Sequence, residues 1–526
     1  MTRRRWPFVV IAAALASGLP VQASDAPRSA IGWLSDVIRT PAPQADGQAA
    51  ALSPETVSPF AEAEIMTSRL DDPIRNGIGL LSARESGFDP DMWADASALR
   101  VRSLILELRP AGVPAARELY RRVVLTETLP PIGSGPSNGV LLARLDSLMA
   151  AGRLEDARAL IELAGVADPE LFRRAFDIAL LAGGIDEICG QLRDSPGLSP
   201  TFPARVFCLA RLGDWSAAAL TLQLAREVGD IAPAQEELLA WFLDPQLFEG
   251  ETPPPAPRPL TTLDHVLREA VALPRSATTL PTAFLWLDAG NEAPLRSRIE
   301  ARERLVREGA MEPEPLFDAY RQNTPAASGG VWDRMAAVQE LDQAFATMDA
   351  QALPGALERA DRLLSDLGLR PALATVYARQ LAALPRDGLD TDTRRRIGGL
   401  LLLAGSGPQA ARWLPDNNDG SDMLLRALAL GRADLPQGTA LSPIEDAVRR
   451  GLTQLAPPSA DAAQLGAMID EGRIGEAMVQ VLTLLAPGPE LDPGDLAAAL
   501  YLLRMAGQDE TARRVAAETI LLLPEA

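Results

Sequence analysis

Between Leu148 and Leu222 a six-residue pattern returns at a near-constant distance. It is glycine, any residue, a bulky apolar residue, two polar or small residues, then alanine or a small apolar residue. The copies are Gly152-Arg153-Leu154-Glu155-Asp156-Ala157, Gly183-Gly184-Ile185-Asp186-Glu187-Ile188 and Gly213-Asp214-Trp215-Ser216-Ala217-Ala218. Each follows an apolar, helix-like stretch. Glycine there ends a helix, because it alone enters the left-handed region without a side-chain penalty. The bulky residue opens the next helix, and the alanine lets two helices approach closely. Steps of 31 and 30 residues point to stacked helical pairs, since one pair cannot bury its apolar face alone. The pattern returns late in the chain at Gly472 to Ala477 and at Gly507 to Ala512. Gly405 to Ala410 is a looser copy, with Gly407 in the bulky slot.

This pattern resembles the tetratricopeptide repeat, whose second helix opens with Gly-x-aromatic-x-x-Ala. Only Trp215 supplies the aromatic here; the other copies use Leu or Ile, and the period drifts around the family's 34 residues. The resemblance covers about half the chain and implies an all-α fold, an α-solenoid of tetratricopeptide-like pairs. The segments SPTFPARVFCLARLGDWSAAALTL and ASGGVWDRMAAVQELDQAF are also similar to segments of exported bacterial helical proteins of unassigned function. That similarity implies export and a helical build, and carries no site.

Composition agrees with helices packed through small residues. Apolar residues make up 47 % of the 526, aromatics only 5 %. The net charge is −20, and all 50 basic residues are arginine. An acidic chain of this kind is a poor partner for nucleic acid or an anionic membrane. The absence of lysine excludes Schiff-base chemistry and deprives the Gly133-Ser134-Gly135 loop of the cation that a phosphate-cradling loop needs.

The chain divides by composition. Residues 1–23 read as a cleavable signal peptide: Arg3-Arg4-Arg5, an apolar run from Trp6 to Leu19, and Val21-Gln22-Ala23 before Ser24. No later run has the ~18 apolar residues of a membrane span, so no stable membrane insertion is expected after cleavage. Residues 24–92 are expected to be a flexible low-complexity leader, with one apolar island at Ile31–Ile38. Residues 93–248 are expected to form an N-terminal helical-repeat lobe and residues 261–526 a C-terminal one. Between them EGETPPPAPRP makes 249–260 a Pro-rich linker. In the stretch from Leu263 to Leu384 the helices lack the glycine signature.

Residues that could carry chemistry are few. Leu80 to Pro90, LLSARESGFDP, resembles the Glu-Ser-x-Phe signature of lytic transglycosylases, which implies Glu85 as the general acid cleaving peptidoglycan. Such an acid needs an apolar cleft that raises its pKa, and the family's downstream Gly-Leu-Met-Gln-like segment is missing. The single histidine, His265, reads as a surface residue of a helix, and no Gly-x-Ser-x-Gly accompanies it. One His and two Cys make a poor metal set, so neither a metal nor a cofactor is expected. Cys189 and Cys208 lie on apolar faces of consecutive helices. They fit either a disulfide or two buried thiols acting as small hydrophobes.

The function these features suggest is non-enzymatic: a periplasmic scaffold or adaptor binding a protein partner or peptide segment, with the first helices of the pairs lining a concave surface. The alternatives are a peptidoglycan-cleaving enzyme using Glu85 and a purely structural component of an envelope complex.

Overall fold

The computed structural model describes residues 74–523, apart from 94, 136, 167, 200 and 276–279. The expected signal peptide and the leader up to residue 73 lie outside the described residues. Among the described residues every regular element is a helix; the only extended pairings are isolated bridges, Leu81 with Thr126 and Ser97 with Ile132. None of these helices is long and apolar enough to cross a membrane.

The glycine pattern marks helix–helix turns. Gly152 separates Gly139–Ala150 from Leu154–Ala164, and Gly213 separates Phe202–Arg211 from Trp215–Val228. Gly472 lies between Ala460–Asp470 and Ile474–Leu485, and Gly507 between Pro493–Met505 and Asp509–Leu521. All four have φ between +71° and +89°. In each turn the residue after the glycine donates its N–H to a carbonyl five positions back. These bonds are Arg153 to Leu148, Asp214 to Leu209, Arg473 to Met468 and Gln508 to Leu503, at 2.8–2.9 Å. That bond satisfies a carbonyl the helix end would otherwise leave without a partner. Gly183 and Gly184 make a different turn, with two successive positive φ values of 90° and 94°.

The middle of the chain uses the same turn, contrary to the sequence expectation. Gly309 and Gly368 both have φ +71°, and Ala310 and Leu369 bond back to Leu305 and Leu364 at 2.8 Å. Neither is followed by an alanine in the sixth slot, so the full six-residue pattern does not reveal them.

The core does not part at the Pro-rich stretch, which corrects the division into lobes at 249–260. One contiguous apolar core runs from Phe88 to Leu181 and from Ala283 to Ala517. A smaller second core gathers residues between Phe172 and Leu273. The helix Pro169–Ala182 serves both: Leu171, Ala175, Ile178 and Leu181 face the large core, while Phe172, Phe176 and Leu180 face the small one. Two apolar faces at helical spacing produce this double role. The Pro-rich stretch lies inside the span of the small core, and the Pro254 carbonyl accepts a 2.9 Å bond from Arg268.

The large core is continuous because the chain returns on itself. Ile474–Leu485 packs on Ala98–Glu107 and on Pro114–Leu125, and Asp509–Leu521 packs on Pro114–Leu125 and on Thr391–Leu403. Close approaches fix this closure. A Cβ on Gly475 would sit 2.4 Å from the Trp93 ring, and one on Gly112 would sit 2.3 Å from the Leu485 carbonyl oxygen. Arg122 donates to the Gln508 Oε1 at 2.8 Å and to the Thr511 Oγ1 at 2.6 Å. At the open N-terminus of Pro114–Leu125, the Ala115 N–H donates to the Glu518 carboxyl at 2.6 Å.

Residues 74–92 were expected to belong to the leader. They are packed against the body, not low-complexity chain. Asn76 is buried, and its Oδ1 accepts from the Val140 N–H at 2.9 Å, capping Gly139–Ala150. Phe88, Met92 and Trp93 enter the large core. Arg144 is fully buried and has no carboxylate partner among the described residues; it donates to the Ile78 carbonyl at 2.7 Å and to the Thr128 hydroxyl at 3.1 Å. Burial pushes its pKa down to about 10.

Arginine also joins neighbouring hairpins. Arg174 grips Asp146 through two 2.7 Å bonds, and Arg334 grips Glu303 through two more at 2.7 Å, with the Tyr320 hydroxyl donating to Glu303 at 2.6 Å. Both contacts use the planar fork of guanidinium, which an ammonium group cannot reproduce.

Candidate interaction surface

The structure places the pattern residues in two groups. Ala157, Ala218, Ala477 and Ala512 are fully buried at helix–helix seams, and Gly152 is buried with them. A Cβ on Gly152 would meet the Thr282 methyl at 2.7 Å, and the Gly152 carbonyl accepts a 2.6 Å bond from the Trp286 indole. Gly183, Gly213 and Gly507 are exposed and Gly472 is half-buried, all with nothing within 4 Å of an added Cβ. Their requirement is conformational rather than steric. Trp215, read as part of the packing unit, is half-exposed.

The sulfurs of Cys189 and Cys208 are joined in a disulfide with a Cα–Cα distance of 5.0 Å. It ties Ile185–Asp194 to Phe202–Arg211 within the small core. Rings continue outward from it. Phe176 meets Phe207 edge-on at 6.1 Å, Phe207 stacks on Phe242 at 5.7 Å, and Trp215 tilts against Phe242 at 6.1 Å. A run of four rings thus leads to the base of Trp215–Val228.

That helix is held by a narrow seam. Ala218 and Ala225 are its only fully buried residues. Leu222 is half-buried against the small core, while four other apolar side chains are exposed: Trp215 at 51 %, Leu220 at 67 %, Leu224 at 53 % and Val228 at 64 %. Leu220, Leu224 and Val228 are four apart, so they form one stripe. Single exposed apolar residues are ordinary, but a contiguous stripe marks a contact surface. The sequence expectation placed the contact surface on the first helices of the pairs; this stripe lies on a second helix. It was readable in LTLQLAREV as an apolar residue every fourth position, yet the same spacing also describes a buried face.

A cavity of about 1290 Å³ opens on the inner side of the large core. Its wall comes from residues 112–117, the end of Leu295–Arg307, the stretch 358–371, Thr391–Leu403 and residues 520–523. Asp361 is buried there between Arg370 at 2.9 Å and Arg396 at 3.2 Å. Arg395 holds Asp422 through bonds of 2.9 and 2.7 Å. The Arg395 bonds come first, with the Asn417 amide also contributing, in holding the Asp422 carboxyl below its usual range.

The residues weighed for catalysis are not assembled into a site. Glu85 is exposed and its carboxylate accepts from the Ser82 hydroxyl at 2.7 Å and the Ser82 N–H at 2.9 Å, capping a single helical turn. Those bonds hold its pKa below the ordinary value, the reverse of what a general acid requires. His265 is not a surface residue as expected. It is buried and stacks on the Phe284 ring at 4.8 Å, and burial lowers its pKa. Among the described residues no group of three or more His, Cys, Asp or Glu is placed to hold a metal ion.

No known family's sequence profile matches the chain, and comparison with curated proteins and with solved structures finds no match.

Proposed function

We propose that the protein is a periplasmic scaffold or adaptor, a tetratricopeptide-like α-solenoid that binds a protein partner. The exposed stripe of Leu220, Leu224 and Val228 carries this reading. It presents apolar area that no other part of the described chain covers, on a hairpin braced by a disulfide and a run of stacked rings. A contiguous exposed apolar stripe rimmed by polar residues marks a protein contact surface. The repeated glycine turns and buried alanines support the repeat architecture, whose hairpins offer such surfaces side by side. The Arg-rich start of the sequence and the paired cysteines support export, because disulfides persist in oxidising compartments.

The test is affinity capture from envelope extracts with the wild-type chain and with a Leu220→Glu/Leu224→Glu variant that retains its circular dichroism spectrum. The reading expects a recurrent protein held by the wild type and lost by the variant. Equal capture by both would refute the stripe. Release of muropeptides from purified peptidoglycan, abolished by Glu85→Gln, would replace the scaffold with an enzyme.

A further inference from the structure

We infer that a groove beside Ala164 is a docking site for a segment of this same chain, the apolar island at residues 31–38. The groove, of about 520 Å³, is lined by the end of Leu154–Ala164, by the end of Ile185–Asp194 and by the turn that follows it. Ile161 is buried at its base, Val166 and Leu198 are half-buried in its walls, and the exposed Glu162 and Asp194 rim it. The second wall is braced, because the Cys189–Cys208 disulfide ties Ile185–Asp194 to the next helix. The groove shares no residue with the stripe on Trp215–Val228.

Three observations select this occupant. The first is where the described chain begins. Arg75 donates from Nε to the Ala164 carbonyl at 2.9 Å, and the next two residues, Gly165 and Val166, line the groove. Ile74 is exposed just before this anchor, so the sequence N-terminal to it is tethered beside the groove. The second is reach. A coil as long as residues 39–73 spans about 30 Å, and such a tether gives a segment an effective concentration on the order of millimolar. A separate partner would have to displace it. The third is chemistry. Ile31, Trp33, Leu34, Val37 and Ile38 are bulky and apolar, and Arg28 and Arg39 flank them, with Asp36 the only carboxylate between those arginines. Glu162 is exposed and makes no ion pair among the described residues. Asp194 has only its sequence neighbour Arg193, at 3.1 Å, and both are exposed. An acidic rim around an apolar base therefore suits an apolar run with arginine at its ends. Residues 60–66 lie nearer the anchor, but they carry Glu62 and Glu64 among their apolar side chains, and the same rim repels them.

The experiment places a photo-crosslinking amino acid at Leu34 in the purified chain from Ser24 to Ala526, with Phe60 as the control position. Mass spectrometry of the digested product locates the adduct. The expected result is an intramolecular adduct between Leu34 and residues 161–166 or 191–198, at a yield independent of protein concentration. Phe60, though closer to the anchor along the chain, should give none there. Glu162→Arg, a change at an exposed residue that retains the circular dichroism spectrum, should lower the Leu34 yield about threefold or more. No adduct from Leu34, or one on Trp215–Val228, would overturn the inference. Equal groove adducts from Phe60 would overturn it by reducing the contact to tethering alone, as would an unchanged yield in Glu162→Arg. Adducts between molecules, rising with concentration, would overturn it in favour of a second copy as the occupant.

Discussion

Replacing Glu518 by glutamine should make the protein more stable than the wild type at pH 8 but not at pH 4.5. Glu518 is almost fully buried where the last helix meets the start of Pro114–Leu125. Burial is the largest influence on its carboxyl and raises its pKa to about 7, against the pull of Arg514, the Ala115 N–H and Arg117. In the unfolded chain the group ionises near its ordinary value of 4.5. Below that value both states hold the proton and pH has no effect through this residue. Between 4.5 and about 7 the unfolded chain loses a proton that the fold retains, so stability falls as pH rises. The gap between the two values is worth about 3 kcal/mol. Glutamine keeps the acceptor for Ala115 and cannot ionise. Urea unfolding of both proteins across pH 4.5 to 8 isolates this residue from other titrating groups. Glu518→Gln should gain about 3 kcal/mol on the wild type over that range. Parallel curves would show that burial does not govern the group. A gain by the wild type would show an ionised carboxylate held by Arg514 and Arg117.

Other consequences are equally open to measurement. Ala157→Leu should cost about 1–3 kcal/mol in urea unfolding by overpacking a buried seam, whereas the exposed Glu155→Gln should cost less than ~0.5. Gly213→Val has open space around it, so any loss there, about 1–3 kcal/mol, reports the left-handed backbone alone. Reducing the disulfide, or a Cys189→Ser/Cys208→Ser double variant, should cost about 3 kcal/mol by the chain-entropy relation, given its separation of 19 residues. Cleavage between Glu249 and Pro259 should leave two fragments that co-elute in size-exclusion chromatography, because the large core spans the cut. Independent folded halves would contradict the closure.

The helical build was legible because its signal is local. Glycine at a helix end followed by a bulky residue and an alanine demands a specific turn and a specific close approach, and both are found at 152, 213, 472 and 507. The turns at 309 and 368 escaped because the alanine slot is absent, although their glycines perform the same task. What is decided by distant contacts was not legible. Nothing in the Pro-rich composition at 249–260 reveals that Ile474–Leu485 returns to Trp93, nor that Asn76 caps a helix sixty residues on. The disulfide was one of two open readings, because apolar spacing describes a thiol and a bridge alike. The stripe on Trp215–Val228 carries the same ambiguity: period alone does not distinguish a covered face from an offered one. The large cavity draws its arginines from helices far apart in the chain, so no motif marks it.

The claim that matters most is that the Trp215–Val228 stripe touches a partner. A photo-crosslinking amino acid placed at Leu224, in the protein expressed in its native cells, tests it directly. The control is the same group at Leu455, which is 91 % exposed but belongs to no stripe. The account predicts one discrete higher-mass adduct from Leu224 and none from Leu455. No adduct at Leu224, or the same adducts from both positions, would contradict it.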